Sequence, residues 1–236
     1  MKGPLKAVLY FFVNKISGKI INHDSSYTGT IEFSDKIESI NKEKNSDFEN
    51  IIIPGFIDLH CHGGNGFDTM AGISSIKEIS KYHVRHGTTT LLPTTLTASF
   101  DNTINAVDGL DDFIDKNINK TNILGVHLEG PFINPKKLGA QPSFTQLPNI
   151  DFIKKIQKKV NIKVITLAPE LEGAEAFMDY LIENNIRVQI GHSLADYNCC
   201  MKIMNKNNVG FTHLYNAMSG DDHRNPGVVT AALRHA

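Results

Sequence analysis

Tryptophan is absent, cysteine occurs only three times, and neither sign of charge is in excess: 24 lysines and arginines face 25 aspartates and glutamates, a formal charge of −1. Each scarcity excludes something. Cys61, Cys199 and Cys200 are an odd number with no CxxC spacing, which argues against a disulfide framework and a cysteine zinc site and fits a reducing cytoplasm. Without net charge there is no general attraction to nucleic acid or to an anionic membrane surface, so neither partner is expected. Long apolar runs are missing too. The one targeting-like stretch, Leu5–Val13, is far short of a membrane span and is followed by Asn14-Lys15 with no small-residue cleavage site, so it reads as a buried β-strand. No polar low-complexity tract occurs, and 41% hydrophobic with 21% charged residues describes an ordinary globular chain. Its 236 residues suffice for one sizeable core plus a small satellite.

Residues 1–50 read as a small β-rich unit. Short β-type runs, Ala7–Val13 and Thr28–Phe33, alternate with polar, glycine-containing turns and give way to a charged, asparagine-rich linker over Asn41–Asn50. From Ile51 onward, apolar runs of strand length alternate with amphipathic stretches of helix length, the pattern of repeated β-α units around a parallel sheet. Six strands are predicted: Ile51–His62, Thr88–Pro93, Ile123–Glu129, Ile162–Ala168, Arg187–His192 and Val209–Leu214. One helix is predicted over Ser99–Ile118, with Ser99 as N-cap and Ile104, Val107, Phe113 and Ile114 on one face. Another covers Glu172–Asn185, with Phe177, Leu181 and Ile182 at helical spacing, and a third begins near Pro226. The hydrophobic pattern alone fits either an open doubly wound sheet or most of an eight-stranded barrel. The polar residues separate the two, because a barrel draws its functional groups from the C-terminal ends of many strands.

The first strand ends IDLHCHGG, and alternation places Asp58, His60 and His62 on one face with Cys61 on the other. The third ends GVHLEGPF, with His127 and Glu129 on a common face ahead of a Gly-Pro turn. The fifth and sixth end QIGHS and FTHLYNAM, adding His192 and His213. A lone His-x-His is ordinarily a surface or core pair. Chance, however, would scatter ten histidines over helices and loops, and here His60, His62, His127, His192 and His213 all finish predicted strands, while His23, His83, His86, His223 and His235 lie elsewhere. Neutral imidazoles with a buried carboxylate suit zinc or another borderline divalent ion held rigidly at strand ends. Such an ion acidifies water towards neutrality and polarises a carbonyl, so hydrolysis of an amide or related bond is the expected chemistry. A proton shuttle is also needed. Asp58 and His127 are the candidates within the chain, Asp58 lying deeper in its strand and better placed to orient a ligand histidine. Arg224, ahead of a Pro-Gly helix start, suits an anion such as phosphate as well as it suits a solvated residue or structural ion pair. Lys136–Gln141 is a second donor-rich loop, whose plain reading is a basic surface loop.

The segments IPGFIDLHCHGGNGFDTM, GTTTLLPT, GVHLEGPFINPKKLGAQ, LAPE, GHS, THLYNAM and RNPG, in this order from Ile51, resemble the N-acetylglucosamine-6-phosphate deacetylases of the amidohydrolase superfamily. The resemblance implies an amidohydrolase-type TIM barrel of the α/β class at 51–236, with six of eight β-α units present, and the N-terminal part of a small β-sandwich at 1–50. It implies one or two divalent ions, zinc first and iron or manganese as alternatives, with Glu129, His192 and His213 holding the principal ion and His60 and His62 available for a second. Other members of the superfamily use a carboxylated lysine on strand four where this family uses the strand-three glutamate. Ala140, Gln141, Asn216, Ala217 and Arg224 fall where the family contacts the sugar phosphate, Gln141 standing where some members have histidine. The implied reaction converts N-acetylglucosamine 6-phosphate to glucosamine 6-phosphate and acetate, in a cytoplasmic enzyme that is a homodimer when full length.

In the resembled family the catalytic aspartate follows a later strand, and a returning segment completes the sandwich. Tyr215–Ala236 is too short for two further β-α units. The chain is therefore expected to be the N-terminal part of a longer enzyme or a truncated copy, with exposed strand edges and little deacetylase activity on its own. Two other functions compete: a cyclic-amide or nucleobase amidohydrolase using the same histidines, and a catalytically dead remnant that binds metal or sugar phosphate.

Overall fold

A computed structural model describes residues 14–43, 48–114, 120–206 and 209–235, in two compact units, Met1–Gly55 and Phe56–Ala236. The run Leu5–Val13 lies outside the described residues, as do 44–47 of the linker and 115–118 of the first predicted helix.

In the first unit, β1 (Asn14–Ile21), β2 (Ser26–Phe33) and β3 (Ile37–Lys42) form an antiparallel meander, and β4 (Ile51–Ile52) adds parallel to β1, giving the order β3-β2-β1-β4. Alternation places Gly18 and Ile20 of β1 and Gly29 and Ile31 of β2 among the buried residues. Glycine is required at position 29, where a Cβ would stand 2.4 Å from the Asn41 carbonyl oxygen. The strand expected to run unbroken from Ile51 to His62 is thus two strands. Ile51–Ile52 belongs to the small sheet, Pro54 cannot continue its ladder, and the units divide at Gly55 instead of at Asn50.

The second unit opens with β5 (Phe56–Cys61) and a small hairpin, β6 (Gly63–Gly64) and β7 (Phe67–Asp68), followed by α1 (Ile73–Val84) and β8 (Thr88–Thr95). Next come α2 (Phe100–Val107), α3 (Leu110–Ile114), β9 (Asn122–Ile123), which pairs with β8, and β10 (Val126–Glu129). The remainder alternates strictly: α4 (Ile150–Gln157), β11 (Ile162–Leu167), α5 (Ala174–Glu183), β12 (Arg187–Ile190), α6 (Tyr197–Met204), β13 (Val209–Phe211) and α7 (Val228–His235). Ser99, Asn149 and Asp196 cap α2, α4 and α6, each side-chain oxygen accepting from a backbone N–H of the first turn. The predicted helix over Ser99–Ile118 breaks after Val107 because Gly109 turns the chain at φ +74°.

The long strands of this unit are parallel and ordered β5-β8-β10-β11-β12-β13, so that each new strand joins on the same side as the one before. A doubly wound sheet reverses direction at a switch point, and this one never does. It is a partial TIM barrel. The curl is measurable: the rings of His60, on β5, and His213, just after β13, have centroids 5.9 Å apart, whereas six flat strands at about 4.8 Å spacing would separate first from last by roughly 24 Å. β10 is buried along its whole length, as expected of a parallel strand covered on both faces. The core between sheet and helices holds Leu128, Phe132, Phe152, Ile165, Phe177 and Val188. At the β5 end of the sheet Phe56, Ile57 and Leu59 are 56%, 66% and 46% exposed, an apolar edge of the kind expected from an unclosed barrel.

Burial also ranks the free thiols. It pushes Cys200 up to about 12 and raises Cys61, and both are buried, whereas Cys199 is half-buried although its thiol is raised as well. Alkylation of the native protein at about pH 8 is expected to mark Cys199 first, with Cys61 and Cys200 reacting only after unfolding; peptide mass spectrometry reads the order, and early labelling of Cys200 would contradict it.

Candidate metal centre

Side chains from the C-terminal ends of β5, β10, β12 and β13 meet around one carboxylate. Glu129, the last residue of β10, has a side chain only 1% exposed; its Oε1 lies 3.0 Å from Nε2 of His192 and 3.0 Å from Nε2 of His213. Its Oε2 lies 2.8 Å from Nε2 of His62 and 3.3 Å from Nε2 of His60. Glu129 thus belongs to two triads, with His60 and His62 and with His192 and His213, and within each the donor atoms lie no more than 4.8 Å apart.

The rings are oriented from behind. Nδ1 of His62, His192 and His213 lies 3.1, 2.8 and 3.2 Å from the carbonyl oxygens of Thr94, Lys137 and Asn216. A carbonyl can only accept, so each Nδ1 carries the proton and each Nε2 turns its other side to Glu129. The Nε2 atoms also crowd one another, at 3.0 Å for His60 and His62 and 3.1 Å for His192 and His213. Nitrogen and carboxylate lone pairs converging at such distances repel unless positive charge lies among them. This donor chemistry fits a divalent cation in either triad, with Glu129 shared. With protons on Nε2 in place of an ion, the same contacts become hydrogen bonds between opposite charges. Burial pushes the Glu129 carboxyl up, but hydrogen bonds from His192, His213, His60 and His62 outweigh it and hold the group far below the usual carboxylate range. Glu129 in turn raises His213, and raises His62 against the opposing effect of burial.

His192 and His213 both hold left-handed backbone, with φ of +50° and +32°. Such a conformation costs about 1–3 kcal/mol for a residue with a side chain, and persists only where the surroundings enforce it. Gly139 packs beside the His192 ring with a φ of +56°, left-handed backbone that favours glycine.

A cavity of about 410 Å³ opens above the carboxylate, lined by these five donors, by Ala140, Gln141, Asn216 and Ala217, and by Leu96 and Gly139, which the sequence did not single out. Gln141 lies against Glu129: its Nε2 donates to Oε2 at 2.7 Å, and its Oε1 accepts from the Thr97 N–H at 2.7 Å. No sequence motif signals this role for a loop glutamine.

Arg224 is exposed and does not line this cavity; it lines a neighbouring one of about 420 Å³ with Asp196 and Tyr197. Two other expectations fail. Asp58 does not share a face with His60 and His62: the pairing register shifts between Asp58 and Cys61, which breaks the alternation and places its carboxylate beside Cys61 and His83. It serves His60 only through the backbone, accepting that residue's N–H at 3.0 Å. His127 is no proton shuttle. Its Nδ1–H donates to the Leu59 carbonyl at 3.0 Å, its Nε2 meets the Thr166 hydroxyl at 2.7 Å, and burial first, with His60 second, pulls its pKa down to about 3. Among the described residues, Glu129 is the only carboxylate lining the cavity.

Residues 51–225 match the amidohydrolase family model. The chain belongs to the amidohydrolase family. The metal dependence general to amidohydrolases agrees with the donor groups gathered here. The chain is 36% identical over 205 residues to N-acetylglucosamine-6-phosphate deacetylase of Bacillus subtilis (strain 168), a match covering 84% of this chain and 52% of that protein. It superposes on the crystal structure of N-acetylglucosamine-6-phosphate deacetylase from Thermotoga maritima with a TM-score of 0.83 at 30% identity, covering 92% of this chain and 59% of the other. A mutant of the Mycobacterium smegmatis deacetylase, in complex with N-acetyl-D-glucosamine-6-phosphate, superposes with a TM-score of 0.80 at 27% identity, covering 93% and 60%. This amidohydrolase chain spans about half the length of the curated relatives it matches. Among its described residues, no helix is long and apolar enough to cross a membrane.

Proposed function

We propose that this amidohydrolase chain supplies the metal and substrate cavity of a deacetylase that hydrolyses the acetamide of N-acetylglucosamine 6-phosphate. The carrying observation is one buried carboxylate shared by two histidine pairs at the mouth of a parallel barrel sheet. In this reading Glu129, His192 and His213 hold the principal ion, and His60 and His62 join Glu129 around a second. Zinc best matches nitrogen and carboxylate donors, with iron or manganese as alternatives. A bound ion supplies Lewis acidity, polarising the acetamide carbonyl and lowering the pKa of water at the site. The residues of the chain do the orienting. His62, His192 and His213 are aimed by their Nδ1–H bonds, Gln141 fixes the shared carboxylate, and Leu96, Ala140 and Ala217 wall the cavity while Asn216 offers the sugar phosphate a polar group.

Hydrolysis adds water across the C–N bond, the hydroxyl going to the acetyl carbon and the proton to the amine, so some group must take that proton and return it. Glu129 is unsuited, because both its oxygens are engaged by the rings and by Gln141. The reading therefore places the proton-shuttling carboxylate, an aspartate in the resembled family, outside Met1–Ala236, in a cytoplasmic enzyme that dimerises at full length. Calorimetry on the zinc-loaded chain should show phosphorylated sugar binding more tightly than free N-acetylglucosamine, and acetate release about 10² to 10⁴ below that of an enzyme possessing its base. Equal binding of the two sugars would sink the phosphate assignment, and an unaltered preference in Arg224→Ala would remove Arg224 from it. The rival reading is a chain that binds metal or sugar phosphate without turnover. Adding the part of the relatives that lies beyond the match to Met1–Ala236 should raise acetate release under the first reading and not under the second.

A further inference from the structure

We propose that Glu170 is a positioning residue that holds His192 in its metal-facing conformation, an inference that rests on the metal-centre reading above. Glu170 lies three residues past β11, in the LAPE segment, and does not line the histidine cavity. Its carboxylate instead gathers three donors from two other loops. Oε1 accepts from the Asn134 side-chain amide at 2.9 Å and from the Leu194 backbone N–H at 2.6 Å, and Oε2 accepts from the Ser193 hydroxyl at 2.7 Å.

These donors flank His192 on both sides. Ser193 and Leu194 follow it directly, at the point where its φ of +50° has to be enforced. Asn134 reaches it from the loop after β10: its N–H donates to the His192 carbonyl at 2.9 Å. The same asparagine shapes the turn behind the ring, its side-chain oxygen accepting from the Lys136 N–H and its carbonyl from the Lys137 N–H, both at 2.9 Å. That turn presents the Lys137 carbonyl which accepts from His192 Nδ1 at 2.8 Å. The hydrogen bonds thus close a circuit from Glu170 through Asn134 and Lys137 to the imidazole, along the backbone to Leu194, and back to Glu170. Removing the carboxylate opens the circuit at three points, freeing both the strained backbone of His192 and the carbonyl that fixes its ring.

The test uses the Met1–Ala236 chain with Co²⁺ as probe. Affinity and the visible absorption band report the metal site, a urea midpoint reports global stability, and hydrogen exchange of the Leu194 amide and the His192 ring N–H reports the circuit without metal. Glu170→Ala is expected to weaken Co²⁺ binding about 10- to 100-fold, alter the band and speed both exchanges. Glu170→Gln, whose amide can accept from Asn134 and Leu194 and donate to Ser193, should recover most of the affinity. A residue that merely stabilised the fold would lower the urea midpoint of Glu170→Ala while leaving the affinity and band of the folded fraction intact, and that result would overturn the proposal. Should Glu170→Ala not fold, Glu170→Asp, one methylene too short for the circuit, takes its place, and wild-type affinity there would overturn it equally. If the unsubstituted chain binds no Co²⁺, the metal-centre reading fails and the exchange rates decide the positioning role alone: faster exchange in the variant supports it, and unchanged exchange refutes it.

Discussion

Glu129→Ala will empty both triads at once, whereas His192→Ala will empty only the one built with His213. The difference follows from position. Among the described residues Glu129 is the one carboxylate shared by both pairs of rings, one oxygen turned to each. Structural zinc sites bind with about 10–16 kcal/mol over four ligands, so one ligand is worth about 2.5–4 kcal/mol, or two to three powers of ten in affinity. Equilibrium dialysis against Zn²⁺ with metal content by mass spectrometry gives both stoichiometry and affinity. Wild-type zinc content in Glu129→Ala would exclude the shared-carboxylate arrangement, and loss of all zinc in His192→Ala would show that the His60–His62 triad does not bind by itself.

Phe132→Ala is expected to cost about 3–5 kcal/mol of folding stability, the range for deleting a fully buried aromatic ring. Phe132 is 0% exposed and sits at the centre of an aromatic group, its ring centroid 4.8 Å from that of Phe177 in a T-shaped contact and 6.1 Å from that of Phe152. Phe152 stacks on Phe100 at 4.0 Å, so the group joins the loop after β10 to α2, α4 and α5. The phenylalanine backbone participates too, its carbonyl accepting from the Ala168 N–H at 2.9 Å beside the LAPE segment. Against the usual 5–15 kcal/mol for a domain, such a loss consumes a large part of the margin. Urea unfolding followed by circular dichroism measures it, and a shift below about 1 kcal/mol would mean that the neighbouring rings collapse into the space and that Phe132 is not the keystone its burial suggests.

The strand-end histidines were legible because a period of two is strict within a strand, and five polar side chains at the ends of apolar runs have few structural uses. The barrel was legible for a related reason: ligands drawn from four strand ends imply a closed or closing sheet. Asp58 was misplaced where that period is interrupted, since a register shift leaves no mark in the residue types of IDLHC. The split of the strand beginning at Ile51 was signalled by Pro54, but the parallel pairing of Ile51–Ile52 with β1 is a long-range contact that no local pattern encodes. Gln141 and Glu170 act through single side chains on loops, and a loop residue's partner depends on how two distant turns come together. Arg224 is chemically suited to an anion, but which cavity its loop would line left no mark in the residue types of RNPG.

The meeting of His60 and His213 also has a mechanical side. They belong to the first and last strands of an unclosed sheet, roughly 150 residues apart in sequence, and they face the same carboxylate. Ions held in the two triads would together form a cross-link tying the two rims together, with Glu129 as the rivet. By the chain-entropy reckoning used for disulfides, closing a loop of that length removes about 5 kcal/mol of freedom from the unfolded chain. Stripping the ions would then do more than disarm the site: it would release the circumference, letting the arc of six long strands splay open along the exposed edge of Phe56, Ile57 and Leu59.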